Sequence, residues 1–121
     1  MILGALIWLA VAGLVAIGAG AILAPVALSR LYGAPVTAPS AIVYVRAAGV
    51  RDVLIAIVLA VAQMHGSAPV VTAALAAGAL LALADFVLTL GAAGRRFRPE
   101  HLSHLAGFAG FAVLVYLSTR A

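Results

Sequence analysis

Residues 2–24 read ILGALIWLAVAGLVAIGAGAILA, a run with no charged side chain that stops at Pro25. An α-helix rises about 1.5 Å per residue and a bilayer's hydrocarbon core is about 30 Å thick, so about 20 such residues make one crossing. The run has no basic segment before it and is too long for the apolar core of a removable signal peptide. It is therefore expected to remain as a membrane helix.

Working outward, three further apolar stretches follow, at about 41–64, 68–90 and 100–118. The segment 25–39 carries Pro25, Pro35, Pro39, Gly33 and Arg30 and reads as a non-helical connector. Ser40 is placed to cap the second helix, and His65-Gly66-Ser67 forms a tight turn before the third. Ser67 can cap that third helix, with Pro69 in its first turn. Pro99 and Glu100 open the fourth, where an acid suits the helix dipole. Strands are excluded, because the runs are about twice the length of a barrel strand and do not alternate. The expected fold is all-α: one domain over residues 1–121, an integral membrane, antiparallel four-helix transmembrane bundle.

Composition agrees. Hydrophobic residues make up 67% of the chain and charged residues 8%, with a mean hydropathy of +1.29. A soluble domain would carry about 25% charged residues. There is no cysteine, so disulfides and thiolate metal sites are excluded. No phosphate-binding loop or haem motif is present, and no cofactor is expected. The net charge of +4 is mostly concentrated between helices, which argues for topology and against a nucleic-acid partner.

The connector and the 91–98 loop fall on one side of the membrane and hold Arg30, Arg95, Arg96 and Arg98. The opposite side holds both termini, the 65–67 turn and Arg120. The arginine-rich side is expected in the cytoplasm, in the inner (plasma) membrane, with both termini extracytoplasmic. Membrane lipid is the expected partner. Small residues four apart mark expected helix contacts: Ala12, Ala16 and Gly20; Ala74, Gly78 and Ala82; Ala106 and Gly110.

The informative residues are charges inside these stretches. Arg46, Arg51 and Asp52 lie in the second helix and Asp85 in the third. A charge near the bilayer centre costs at least about 2.5–3.5 kcal/mol. From the arginine-rich side, Arg46 and Asp85 are each roughly 9 Å deep, Asp52 roughly 18 Å and His104 roughly 6 Å. Arg46 and Asp85 are thus at one level and can meet. Helical side chains lean toward their own N-terminus, so Arg51 and Asp85 lean toward each other. Arg51 and Asp52 are about 100° apart on the helix and are not expected to face each other. A polar cluster of Arg46, Arg51, Asp52, Asp85 and His104 is expected, with Tyr44 and Glu100 at its rim. His101 shares a face with His104.

Tyr32-Gly33, Arg46, Gly49-Val50-Arg51-Asp52, Asp85 and His104 together form a pattern. It resembles a bacterial and fungal family of small four-helix membrane proteins known as a domain of unknown function. The resemblance covers nearly the whole chain. It implies the same polar residues in the same places and no established activity.

Intramembrane ionisable groups mark functional sites by default, although buried ion pairs can also serve only to set helix register. The leading reading is a polar pocket that binds a small lipophilic molecule and isomerises, hydrates or cyclises it. Asp52, Asp85 and His104 would be its acid and base groups, and Arg46, Arg51, Tyr44 and Glu100 its ligand-binding groups. No serine or cysteine is expected near the cluster as a nucleophile. A proton-coupled transporter or channel, acting as a homo-oligomer, is a second reading. A structural or assembly subunit of a membrane complex is a third. His101 and His104 with Asp85 and Glu100 are a weak metal motif, and no metal is expected.

Overall fold

The computed structural model describes all residues, 1–121. The chain is helical throughout: α1 Ile2–Leu23, α2 Pro25–Leu31, α3 Pro39–His65, α4 Ala68–Ala92 and α5 Leu102–Ser118, with a 3-10 turn at Pro99–His101 leading into α5. α1, α4 and the stretch Pro99–Ser118 are each long and apolar enough to cross a membrane. α3 is the longest helix and contains Arg46, Arg51 and Asp52.

Two boundaries differ from expectation for the same reason. Pro25 and Pro39 both sit in the first turn of a helix, where the missing N–H is no loss and the fixed φ is already helical. Pro25 therefore opens α2 inside the segment expected to be non-helical. Pro39 starts α3 with Ala38 as its cap, so Ser40 has no capping role. Ser67 does occupy the cap position of α4, but its side chain makes no capping bond.

The helices associate as two close pairs, α1 with α3 and α4 with α5. α3 and α4, joined through Gly66 and Ser67, touch less, and α1 and α5 less still. Glycine sets the first pair. A Cβ on Gly18 would lie 2.6 Å from the Gly49 carbonyl oxygen, and a Cβ on Gly49 would lie 2.6 Å from that of Gly18. The two backbones are in direct contact. In the second pair Gly78 makes room for Phe111, whose ring would lie 2.6 Å from an added Cβ. Ile7, Leu59, Leu75, Ala79, Phe111 and Leu114 form the apolar core.

Only 18 of 121 residues are buried, and the exposed ones include Leu9, Leu80 and Leu88, each about two-thirds accessible. An outer surface this apolar suits lipid contact, because water would penalise it.

The α2 segment folds back on the bundle. Ser29 is buried; its hydroxyl donates to the Val26 carbonyl at 2.8 Å and accepts the Val36 N–H at 3.0 Å. Gly33 turns the chain with φ +74°, a conformation that disfavours a side chain. A Cβ there would lie 3.3 Å from Glu100 and His101, so the turn lies directly against the start of α5.

Gly49→Val should separate α1 from α3 and destabilise the fold by about 1–3 kcal/mol. Gly13→Ala, with nothing within 4 Å of the added carbon, should be neutral or stabilising by up to about 1 kcal/mol. Equal denaturation midpoints for the two variants in detergent would contradict the backbone contact.

Candidate functional site

The α1–α3 contact positions the first acidic group. Asp52 lies one turn beyond Gly49, on the buried stripe of α3 that continues through Ala56 and Leu59. Asp52 is 6% exposed. Its neighbour Arg51 reaches sideways to meet it: Nε and NH2 donate to Asp52 Oδ1 at 3.2 and 3.0 Å. The same guanidinium donates to Asp85 of α4, from NH1 to Oδ1 at 3.1 Å and from NH2 to Oδ2 at 2.8 Å. This paired geometry uses the planar fork of arginine in a way lysine cannot.

One expectation needs correction here. Arg51 and Asp52 do face each other through their functional groups. The angle between adjacent Cβ atoms does not limit a side chain long enough to fold back over its neighbour.

The fourth and fifth groups come from α5 and from the connector. His104 is 8% exposed, and its Nε2 lies 3.1 Å from the Tyr32 carbonyl oxygen. A carbonyl only accepts, so Nε2 carries the proton; Nδ1 has no hydrogen-bond partner, and in the neutral ring it keeps a lone pair. The Tyr32 ring lies 5.5 Å from the His104 ring, and its hydroxyl donates to Asp52 Oδ2 at 3.5 Å, a long contact. Burial, and then the Asp52 carboxylate, push the Tyr32 phenol above its ordinary range. It is therefore a donor and not a phenolate.

The structure thus brings together Arg51, Asp52, Asp85 and His104, and adds Tyr32. It does not bring in Arg46, which is exposed and in no ion pair. Arg46 precedes Asp52 by six residues, ~120° around the helix, so equal depth with Asp85 does not make a contact. Glu100 is exposed and in no ion pair, while Tyr44, 77% exposed, stays at the rim and shares a cavity lining with Arg51 and Asp85. His101 is fully buried but apart from the cluster. It packs against Phe86 and Phe97, and its Nδ1 accepts the Arg98 N–H at 3.0 Å. No three His, Asp or Glu side chains converge as metal ligands.

Tyr32 was missed as a cluster member because it lies outside the apolar runs, where helical rise gives no depth. The available signal was the Tyr-Gly pair itself, a glycine placed where the chain must turn sharply.

Two cavities meet at this cluster. The larger, about 600 Å³, lies among α1, α4 and α5, and α1 and α5 touch little. Its walls are apolar, with Leu9, Gly13, Ile17, Leu81 and Gly110 among them, and Tyr32, Asp52, Asp85 and His104 also line it. Ser103 reaches this wall too, contrary to expectation, but its hydroxyl donates to the Glu100 carbonyl at 2.8 Å. The smaller cavity, about 290 Å³, is lined by Arg51, Ser29, Tyr44 and Thr89 and shares Tyr32, Asp85 and His104 with the larger.

Tyr32→Phe should leave the tyrosinate absorbance at 295 nm unchanged at about pH 11, above the ordinary phenol value of about 10. A drop on removing that hydroxyl would show that Tyr32 ionises normally and is not held beside Asp52.

No curated protein and no solved structure matches the chain. A family model described as a domain of unknown function, DUF4267, matches residues 11–118. The match runs from the first half of α1 to the end of α5 and includes all five cluster residues. The resemblance carried by Tyr32-Gly33, Arg46, Gly49–Asp52, Asp85 and His104 led to the same place: the chain belongs to this family of domains of unknown function.

Proposed function

We propose that the chain crosses the membrane four times as an antiparallel helical bundle and binds a small lipophilic molecule in its larger cavity. The observation that carries this reading is a roomy apolar cavity with buried acid and base groups in its lining. Ligand sites commonly have about this volume and this mixture of apolar wall and few polar groups. α3 is the fourth crossing. At 27 residues it is about 40 Å long, and the charges of Arg51 and Asp52 are paired within the bundle. Gly66 and Ser67 are too short a link to do other than reverse the chain.

The cluster supports proton transfer on a bound molecule. In the neutral ring His104 Nδ1 has a free lone pair, and Asp52 and Asp85 lie on the same wall. These groups suit isomerisation, hydration or cyclisation by acid–base catalysis. Arg51 holds the two carboxylates in position. The ligand's polar end would thus meet the aspartates and His104, in place of the arginines assigned to it from the sequence.

A second reading has one observation in its favour. The two cavities share Tyr32, Asp85 and His104, a juxtaposition that suits a proton-coupled transporter working as a homo-oligomer. In either reading the exposed Arg30, Arg95, Arg96 and Arg98 favour the cytoplasmic side of the inner membrane, with both termini outside.

The native chain has no cysteine, so single-cysteine labelling reads topology directly. In intact cells, Ser67→Cys should react with a membrane-impermeant maleimide and Arg96→Cys should not; the reverse would invert the orientation, and labelling of both would remove a crossing.

Gly110→Phe tests the cavity. Gly110 lines it, and a Cβ there meets nothing within 4 Å. The variant should fold normally and lose at least about tenfold of any lipophile that co-purifies with the native protein, equivalent to about 1.4 kcal/mol. Identical organic extracts by mass spectrometry, with a lipophile present in both, would show that the cavity is not its site.

A further inference from the structure

We propose that the larger cavity selects a lipophilic cation, a protonated amine on an apolar body, over neutral or anionic lipophiles; this rests on reading that cavity as a ligand site.

The first argument is a count of charge. Asp52 and Asp85 are both paired to the single guanidinium of Arg51, so with both carboxyls ionised the three groups together carry one net negative charge. No other residue forms an ion pair with either aspartate. There is no lysine, and the other six arginines are exposed and in no ion pair with either aspartate. An uncompensated charge among apolar groups is costly, so a cation that completes the set is favoured.

The second argument is the direction the groups present. Arg51 lines the smaller cavity and not the larger, whereas both aspartates line the larger. A molecule in the larger cavity therefore meets carboxylates and not the guanidinium that balances part of their charge. An anionic head group would be repelled there.

The third argument is hydrogen-bonding capacity. His104 is more than nine-tenths buried and lines the same cavity; its Nε2 proton is bonded to Tyr32, and in the neutral ring the unpartnered Nδ1 is an acceptor. The Tyr32 hydroxyl points to Asp52. The site therefore offers acceptors: Asp52 Oδ2, the Asp85 carboxylate and His104 Nδ1. An ammonium group, with N–H donors and a positive charge, complements all three. A carboxylate complements none, and an alcohol supplies one donor without the charge.

The test compares dodecylamine, dodecanol and dodecanoate binding to the full chain in phosphatidylcholine nanodiscs at neutral pH, with empty nanodiscs as the blank. The amine should bind at least about tenfold more tightly than the alcohol, with the carboxylate weakest. Asp52→Asn should bring amine and alcohol to similar affinity, and Asp85→Asn provides the same test if the first variant fails to fold. Gly110→Phe should abolish binding of all three. An alcohol that binds as tightly as the amine would overturn the charge selection and leave the cavity reading standing. If no probe exceeds the empty nanodiscs, or if Gly110→Phe binds normally, the cavity reading itself fails and the proposal with it.

Discussion

Everything at the centre of this molecule depends on one guanidinium held between two carboxylates. Arg51 bonds Asp52 within its own helix and Asp85 across to α4, through four hydrogen bonds of 2.8–3.2 Å. An ionised aspartate is costly to bury without a counter-charge, and Arg51 is the one cation in an ion pair with both. This bond set joins the α1–α3 pair to the α4–α5 pair, through two helices that touch less than the helices within each pair. It also sets the character of the cavity wall, because one guanidinium serves two carboxyl groups.

The rest of the fold brings partners to that bond set. Gly18 and Gly49 let α1 and α3 meet backbone to backbone, which buries Asp52 one turn away. Ser29 and Gly33 fold the connector inward, so that Tyr32 gives its hydroxyl to Asp52 and its carbonyl to His104. α5 packs on α4 through Gly78 and Phe111 and stays away from α1. The space left between α1 and α5 is the larger cavity. The polar cluster and the cavity are thus products of the same packing: close contact within each helix pair, loose contact between them.

Much of this was legible in the sequence. Apolar runs that match bilayer thickness locate α1, α4 and the stretch Pro99–Ser118 by length and hydropathy, whereas α3 is a long helix in spite of its three charges. The Arg51–Asp85 pairing was legible from depth and from the lean of helical side chains. Arg46 was misplaced because depth was considered without rotation about the helix axis. The Arg51–Asp52 bond was missed because adjacent Cβ directions understate the reach of a long side chain. α2 was hidden by Pro25, a residue that both stops one helix and starts the next. Tyr32 had no legible depth at all: its position depends on Ser29 hydrogen bonds and on the turn at Gly33, contacts between residues that no periodicity links.

The central claim is that the space between α1 and α5 is a binding site whose polar end is the Arg51–Asp52–Asp85 set with His104. A structure of the protein determined in lipid, resolving side chains, tests it most directly. The account predicts an open cavity there, holding an elongated density that ends against Asp52, Asp85 and His104. A closed seam, with α5 packed tightly on α1 and both aspartates bonded only to groups of the protein, would contradict it and leave the ion pairs as a device for fixing helix register.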